Sequence, residues 1–265
     1  MGVIYEPSGE AREYSHLALN HYSGCGHGCT YCYVPGIVKR GPGTLESKRH
    51  KFHADLGEKK DVLERLGKEL PRYSGTDKRV LLSFACDPYQ PIEAARQLTG
   101  TILRMLSGCD VPFQILTKAG HLATRDLRLF GPNDAFAVTL TTLNGRDAAE
   151  VEPGAAPPME RVQALKEAKS RGIETWVSLE PVLNPAWSLE IISRTHDFVD
   201  LYKIGTLNHA TSRLEPDEWR QFGQRAINRC HACRVKYFIK DSLARHLGEF
   251  QFGNTDSRTV DRSKN

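Results

Sequence analysis

Six short runs of apolar, β-branched and aromatic residues recur along the chain and alternate with segments of helical pattern. The runs occupy residues 80–85, 113–117, 136–140, 175–179, 198–204 and 235–239, and a weaker run at 17–22 precedes them. They are continuously apolar, which is typical of parallel strands covered on both faces. Strand and helix repeated about six times predict a parallel α/β fold, either doubly wound or closed towards a barrel.

The helical segments between these runs carry start and stop signals. In the clearest segment, 159–171, Pro157 and Pro158 precede the helix and Gly172 ends it. Further helices are predicted at 61–70, 94–106, 189–196 and 216–228. In either parallel architecture the functional loops lie at the carboxyl ends of the strands, so each functional residue should directly follow a strand run.

The composition bounds the organisation and location of the protein. Of the 265 residues, 40% are hydrophobic and 26% are charged, a balance that supports a sizeable globular core. No run approaches the roughly 18 consecutive apolar residues of a membrane span, and residues 1–14 lack the apolar centre of a secretory signal. We therefore expect a cytoplasmic protein with no membrane contact. Its expected parts are an N-terminal extension (1–14), a core domain (15–250) and a flexible tail (251–265).

The net charge of +4 argues little by itself about a nucleic-acid partner, but its distribution is uneven. Between residues 39 and 60, seven basic residues stand against three acidic ones; the basic residues are Lys39, Arg40, Lys48, Arg49, Lys51, Lys59 and Lys60. A solvated surface loop is one interpretation. A contact surface for phosphate or another anionic substrate, including nucleic acid, is the other.

Three of the seven cysteines crowd into eight residues, at Cys25, Cys29 and Cys32. Alternating glycines in the same loop allow the backbone to wrap closely around a ligand. A [4Fe–4S] cluster normally takes four cysteine ligands, so three would leave one iron with an open coordination position. Zinc bound by the three cysteines and either His27 or His21 is the competing interpretation.

The C-x-x-x-C-x-x-C spacing, with Tyr31 directly before the last cysteine, resembles the signature of the radical S-adenosylmethionine superfamily. The resemblance implies that Cys25, Cys29 and Cys32 ligate a [4Fe–4S] cluster and that Tyr31 lies beside the adenine of S-adenosylmethionine. Members reductively cleave this cofactor to a 5′-deoxyadenosyl radical, which abstracts hydrogen from a substrate. The resemblance also implies a partial (β/α)6 TIM-like barrel and a reducing electron donor such as flavodoxin or ferredoxin.

A second group of motifs is similar to the branch of this superfamily related to spore photoproduct lyase. The string D-P-Y-Q-P-I-E at 87–93 carries most of the similarity, and the strings H-G-C-T-Y-C-Y, L-T-K, E-P-G and Y-F-I-K at 27–33, 116–118, 152–154 and 237–240 add to it. Because that lyase repairs DNA, the similarity implies a nucleic-acid lesion or base as substrate. A peptide or small metabolite is the alternative substrate. Outside enzymes, a non-catalytic iron–sulfur or zinc-binding module is the alternative.

Four further residues at the ends of strand runs are candidates for cofactor binding. Lys118 follows the run at 113–117 and is placed to pair with the methionine carboxylate, a solvated lysine being the alternative. Thr141 follows 136–140, where a hydroxyl group suits ribose, and Glu180 follows 175–179, where a carboxylate suits the methionine ammonium or a substrate donor. Ile204 ends the run at 198–204, where the superfamily reads adenine with backbone atoms.

Cys86 directly follows the run at 80–85 and precedes Asp87 and Pro88. The proline forces the residue before it out of helical geometry, so the chain turns here. Similarity to spore photoproduct lyase implies that Cys86 is catalytic and returns a hydrogen atom to the substrate radical. A small thiol packed against the sheet is the alternative.

The cysteine spacing leads to a first testable prediction, that Cys25, Cys29 and Cys32 are the only cysteines the cluster requires. Replacing any one of them with alanine should remove most of the roughly 400 nm absorption after anaerobic reconstitution. Cys230→Ala and Cys233→Ala, which alter the single C-x-x-C near the C-terminus, should retain about four iron atoms per chain, as one cluster requires. Loss of iron from the Cys230 variant would contradict the one-cluster interpretation.

Overall fold

A mixed nine-stranded sheet organises the part of the chain that the computed structural model describes, which is residues 2–37, 42–207, 214–248 and 259–260. Its strands are β1 (Ile4–Tyr5), β2 (Leu17–Leu19), β5 (Val80–Leu82), β6 (Phe113–Thr117), β7 (Ala135–Thr139), β8 (Glu174–Leu179), β9 (Leu201–Ile204), β10 (Lys236–Ile239) and β11 (Thr259–Val260). Two short strands, β3 (Tyr22–Ser23) and β4 (Gly57–Glu58), form a separate antiparallel pair. Lys39, Arg40 and most of the expected tail lie outside the described residues.

The seven strands from β2 to β10 in the large sheet are parallel, which confirms the predicted α/β architecture. They lie in the order in which they occur along the chain, and β1 and β11 flank them as antiparallel edge strands. Within the described ranges no pairing joins the two edges, so the sheet is open. The loops after the parallel strands therefore gather at one edge.

Eleven α-helices connect and cover the strands in the described chain. They are α1 (Val34–Ile37), α2 (Leu45–Ala54), α3 (Val62–Glu69), α4 (Glu93–Arg96), α5 (Leu98–Gly108), α6 (His121–Thr124), α7 (Gly145–Val151), α8 (Pro158–Ser170), α9 (Pro185–Thr195), α10 (Pro216–Ala232) and α11 (Asp241–Leu247). Short 3₁₀ helices lie at Gly9–Glu13, Leu70–Arg72 and Leu127–Leu129. None of the described helices combines the length and apolarity that crossing a bilayer requires.

The apolar runs are buried because helices cover the sheet. Every residue of β5 and of β7 is buried, as expected for parallel strands enclosed by helices. The helices α5, α8, α9 and α10 contribute the buried side chains that pack on them, including Ile102, Leu165, Ile192 and Ala226. Burial of these apolar surfaces supplies the main stabilisation of the domain.

The structure differs from the sequence-based expectation at residues 94–106, which form two helices and not one. Gln97, with φ of 53°, separates α4 from α5. The buried Glu93 carboxylate accepts hydrogen bonds of 3.1 Å from the Leu98 and Thr99 amides, and so it satisfies the amino end of α5. Glu93 also accepts hydrogen bonds from Tyr22 and, at 2.7 Å, from Arg125.

Because Glu93 accepts so many buried hydrogen bonds, we predict that Glu93→Gln lowers the free energy of unfolding by about 3 kcal/mol. The glutamine side chain lacks the negative charge that faces Arg125 and leaves buried donors unsatisfied. Urea unfolding of the purified variant measures the change. The control Glu64→Gln removes a carboxylate whose side chain is 65% exposed and is paired only across the surface of α3. It should change stability by less than about 0.5 kcal/mol, and equal losses in the two variants would contradict the role of Glu93.

Candidate active site

The loops at the carboxyl ends of the parallel strands surround a cavity of about 600 Å³. Seven of the nine residues that the sequence singles out line it: Cys25, Cys29, Tyr31, Cys32, Cys86, Lys118 and Glu180. The other two, Thr141 and Ile204, are buried beside strand ends and do not line it. Ile204 accepts a 2.9 Å hydrogen bond from the Lys240 amide through its carbonyl oxygen. The predicted residues thus come together from separate strand ends, as parallel topology requires.

The loop that carries the three cysteines is bound through its backbone by neighbouring elements. The Gln90 side chain accepts a 2.8 Å hydrogen bond from the Gly26 amide and donates one of 3.2 Å to the Gly24 carbonyl. The Cys25 amide donates to the Phe52 carbonyl of α2 at 3.2 Å, and the His53 ring lies 2.7 Å from the Cys25 carbonyl. The path of the loop is therefore fixed by groups other than the thiols.

Gly154, in the E-P-G string after α7, packs directly against this loop. Its amide donates to the His27 carbonyl at 2.8 Å, and the His27 ring donates to the Gly154 carbonyl at 2.8 Å through Nδ1. A Cβ atom at Gly154 would lie 2.3 Å from the Gly26 oxygen and 2.9 Å from the His27 Cα. The two backbones touch at a distance that only glycine permits.

Asp87 connects the cysteine loop to two strand ends. Its carboxylate accepts hydrogen bonds of 2.6 Å from the Thr117 hydroxyl, 2.7 Å from the Lys118 amide and 2.8 Å from the Tyr89 amide, and it lies 3.1 Å from His27 Nε2. Burial acts to raise the pKa of Asp87. The facing His27 and the hydrogen bonds outweigh burial and lower that pKa to about 2. The carboxylate is therefore ionised.

A second buried carboxylate, Glu152, anchors Tyr31. Glu152 accepts a hydrogen bond from the Tyr31 hydroxyl and forms a 2.6 Å ion pair with Arg161. Both ionic side chains are almost completely buried, and Arg161 also donates to the Thr139 carbonyl at 3.0 Å. Burial, followed by the charge of Glu152, raises the pKa of Tyr31 well above its usual value. The Tyr31 hydroxyl therefore stays protonated and points towards Glu152.

The three thiols of the loop suit a soft metal centre in their chemistry. All are free cysteines that face the same cavity. Burial raises the pKa of each thiol, to about 11 for Cys29, so a metal must displace their protons on binding. As placed, no three His, Cys, Asp or Glu side chains of the described ranges enclose a metal position. Assembly of a cluster thus requires the cysteine side chains to rotate towards a common centre.

The two histidines considered for a zinc site have other partners. Both ring nitrogens of His27 face oxygen atoms, those of Gly154 and Asp87. His21 lies outside the cavity lining, and its Nε2 is 2.9 Å from the Thr99 hydroxyl. These contacts disfavour either ring as a fourth ligand to zinc.

Lys118 and Cys86 both face the cavity in their protonated forms, of which one is charged and the other neutral. Burial acts to lower the pKa of Lys118, but nearby Cys29, Glu152 and Asp87 outweigh it and raise that pKa, so the lysine is charged. Burial raises the pKa of the Cys86 thiol to about 11. Cys86 therefore carries its proton at neutral pH.

Across the cavity, Glu180 belongs to a buried group of charges that sequence reasoning missed. It accepts a hydrogen bond from the Lys240 ammonium and one of 2.5 Å from the Tyr14 hydroxyl. The Lys240 Nζ atom lies 3.8 Å from a Glu13 carboxylate oxygen and 4.4 Å from the centroid of the Tyr14 ring. Behind them, burial and then Lys240 lower the pKa of Lys203 to about 7. The Y-F-I-K string contained the only sequence signal for Lys240, a lysine directly after a strand run.

The remaining C-x-x-C does not approach this site. Cys230 is fully buried within α10, and Cys233 is the residue that ends that helix. Neither lines the cavity. That they carry no cluster remains a prediction, which iron analysis of the variants described above tests.

Comparison with known proteins defines the family. The model of the radical SAM superfamily matches residues 19–199. That range includes all three cysteines of the loop and most of the parallel strands, and the chain belongs to this superfamily. The cofactors of this superfamily are a [4Fe–4S] cluster and S-adenosylmethionine. Radical SAM enzymes need an electron donor.

Curated relatives resemble part of the chain. The uncharacterized protein Rv2578c of Mycobacterium tuberculosis is 31% identical over 173 residues, which are 62% of this chain and 49% of that protein. The uncharacterized protein ORF301 of Acidianus two-tailed virus is 32% identical over 177 residues, 63% of this chain and 56% of that protein. The chain spans about half the length of these relatives.

Solved structures share the fold at low sequence identity. Spore photoproduct lyase complexed with dinucleoside spore photoproduct has a TM-score of 0.62 and 14% identity, over 88% of this chain and 78% of that one. SuiB of Streptococcus suis bound to S-adenosylmethionine has a TM-score of 0.56 and 10% identity, over 84% and 45%. These similarities confirm the predicted fold of the superfamily.

The contact at Gly154 predicts that Gly154→Ala displaces the cysteine loop. The methyl group meets backbone atoms that cannot move without shifting His27, so we expect destabilisation of about 1–3 kcal/mol and reduced iron incorporation on anaerobic reconstitution. Gly145→Ala is the matched control, because no atom lies within 4 Å of its added Cβ. Wild-type iron content in the Gly154 variant would show that the loop tolerates the displacement.

Proposed function

We propose that this enzyme cleaves S-adenosylmethionine reductively and abstracts hydrogen from a base or lesion in a nucleic acid, with flavodoxin or ferredoxin as the electron donor. The observation that carries the proposal is the single cavity that Cys25, Cys29, Cys32, Cys86 and Lys118 share. A [4Fe–4S] cluster with S-adenosylmethionine supplies, when bound, a 5′-deoxyadenosyl radical. The protein then has to hold the cofactor, exclude water and present the substrate in the same cavity.

The residues around the cavity suit these tasks. Cys25, Cys29 and Cys32 hold the cluster as thiolates, and the charged Lys118 pairs with the methionine carboxylate. The Tyr31 ring lies beside the adenine, with its hydroxyl bound to Glu152.

Three further assignments concern the ribose and adenine of the cofactor and the carboxylate of Glu180. Thr141 has a buried hydroxyl for which the described residues provide no hydrogen-bond partner, and such a hydroxyl suits a ribose hydroxyl. Ile204 is assigned to the adenine through its backbone by similarity to the superfamily, although it lies outside the cavity lining and its carbonyl oxygen accepts a hydrogen bond from the Lys240 amide. Glu180 binds the methionine ammonium or a substrate donor through its carboxylate.

A basic surface beside the cavity favours nucleic acid over the alternative of a peptide or small metabolite. On α2, the basic side chains Lys48, Arg49, His50 and Lys51 stand against one acidic side chain, Glu46, while the His53 ring turns inward to the Cys25 carbonyl. The Phe52 carbonyl of this helix binds the Cys25 amide, so α2 lies against the cysteine loop. Phosphates bound along α2 would leave an adjoining base next to the cavity.

Two measurements test the proposal. After anaerobic reconstitution with iron and sulfide, addition of a low-potential chemical reductant in the presence of S-adenosylmethionine should yield 5′-deoxyadenosine. A protein that binds iron without forming 5′-deoxyadenosine would be a non-catalytic module. Binding of single-stranded oligonucleotides over a salt series should have a steep slope. Replacing both Lys48 and Lys51 with serine should lower that slope by about 1.4, since each single-strand phosphate contact contributes about 0.7.

The charge-matched control for the salt series is the double serine variant at Lys68 and Lys169. These lysines lie on α3 and α8 and pair with Glu64 and Asp200. The control should retain the wild-type slope. Equal slopes in both double variants would remove the support for nucleic acid and leave the peptide or metabolite alternative.

Lys118→Ala should weaken S-adenosylmethionine binding by about ten- to a hundred-fold with unchanged iron content, because a charge-assisted hydrogen bond to a carboxylate contributes about 1.5–3 kcal/mol. Equilibrium dialysis with the reconstituted protein measures the dissociation constant. An unaltered dissociation constant would show that Lys118 lines the cavity without binding the cofactor.

Cys86 is proposed to donate a hydrogen atom to the substrate radical. Its S–H bond breaks homolytically, hydrogen passes to the substrate carbon, and a thiyl radical remains on sulfur. Cys86→Ala should therefore still form 5′-deoxyadenosine, while the substrate radical ends in aberrant adducts that mass spectrometry detects. A normal product distribution would leave Cys86 as a packed thiol.

A further inference from the structure

The wall of the cavity opposite the cysteine loop carries Lys240, to which neither the family signature nor the motifs give a role. Its side chain is 2% exposed, yet it lines the cavity and projects from the end of β10. An ammonium group has three N–H donors. The described residues provide one hydrogen bond for it, to Glu180, together with the face of Tyr14 and the more distant Glu13. Lys240 therefore has donor capacity left for a molecule in the cavity.

The charges around Lys240 restrict what that molecule can be. Glu180 lies against the ammonium in the cavity wall and Glu13 lies 3.8 Å from it, so the positive charge is compensated before any ligand enters. An anionic group placed here would also face the Glu180 carboxylate. A neutral carbonyl oxygen accepts a hydrogen bond from the ammonium without that repulsion.

Aromatic and apolar side chains form much of this wall, together with Ser178, whose hydroxyl lies 3.0 Å from the Tyr14 hydroxyl. Tyr14, Phe84 and Leu116 are its aromatic and apolar residues. The Tyr14 and Phe84 rings pack edge to face, with their centroids 6.0 Å apart. A flat heterocycle packs well on such a surface.

We propose that Lys240, oriented by Glu180 and seated on the Tyr14 ring, is a substrate-binding residue that donates a hydrogen bond to a carbonyl oxygen of a neutral, flat heterocycle. Of the two roles proposed for Glu180, this inference takes the one on the substrate side: the carboxylate positions Lys240 and excludes anions from this part of the cavity, and it does not bind the methionine ammonium. The inference rests on the proposed function in taking a nucleobase as the heterocycle, and it adds which face of the cavity holds the base.

The test uses two nucleosides that differ mainly by one charge, thymidine and 5-carboxy-2′-deoxyuridine. Their dissociation constants are measured by equilibrium dialysis with the anaerobically reconstituted protein in the presence of S-adenosylmethionine. The wild-type protein should prefer thymidine. Lys240→Met should bind thymidine at least about ten-fold more weakly, as expected for loss of a hydrogen bond from a charged donor.

Glu180→Gln separates a binding role of this pair from a structural one. Removing its charge leaves Lys240 less compensated, so preference should shift towards the carboxylated nucleoside by about ten-fold. Glu190→Gln, on the exposed face of α9 where Glu190 pairs with Arg194, is the matched control and should leave both constants unchanged.

The double variant Glu180→Gln/Lys240→Met keeps the experiment interpretable if the single variants unfold. It restores a pair without net charge, so it should recover thermal stability while still binding thymidine weakly. Wild-type thymidine affinity in a folded Lys240→Met or double variant would overturn the inference. If the affinity for oligonucleotides then still depends steeply on salt, the proposed function stands without the inference about Lys240. Failure of the wild-type protein to bind either oligonucleotide or thymidine would overturn both.

Discussion

The site depends most on one buried carboxylate, that of Asp87. The cysteine loop, the turn after β5 and the end of β6 are distant in sequence, and Asp87 contacts all three through His27, the Tyr89 amide and the pair Thr117 and Lys118. A buried ionised group is stable only when its bonds are complete. The geometry of the three segments is therefore coupled, since displacement of any one leaves this carboxylate partly unsatisfied.

Much of the motif similarity to the spore photoproduct lyase branch describes this support more than the chemistry. In the string at 87–93, Asp87 and Gln90 hold the cysteine loop, and Glu93 bonds the amino end of α5. In the E-P-G string, Glu152 holds Tyr31 and Gly154 permits close backbone contact. Shared strings of this kind indicate a shared way of building the cofactor loop. They carry little information about the substrate, which the opposite wall and the outer surface must select.

The sequence was sufficient for what local pattern encodes and insufficient for pairings across the fold. Continuous apolar runs predicted the parallel strands, and because strand ends meet at one edge, seven candidate residues reached one cavity. The division of 94–106 at Gln97 was missed because the Glu93 carboxylate that bonds the amino end of α5 is held in place by Tyr22 and Arg125, which are distant in sequence. The pair Glu180–Lys240 joins the ends of β8 and β10, which are distant in sequence, so no local spacing reveals it. The pair Glu152–Arg161 joins the turn after α7 to α8 within one connection, and no periodic pattern marks it. The edge strands β1 and β11 have two residues each, too few for a periodic pattern.

The proposed function fits the charges of two surfaces, the outer face of α2 and the inner wall of the cavity. Basic side chains concentrate on α2 outside the cavity, whereas the inner wall balances Lys240 against Glu180 and Glu13. A polyanion gains from the first surface through its backbone and gains nothing from the second, where an added negative charge meets carboxylates. A ligand that satisfies both surfaces has phosphates on the outside and a neutral ring inside. Among the substrate classes considered, a nucleic acid with one base turned into the cavity combines these two properties in a single molecule.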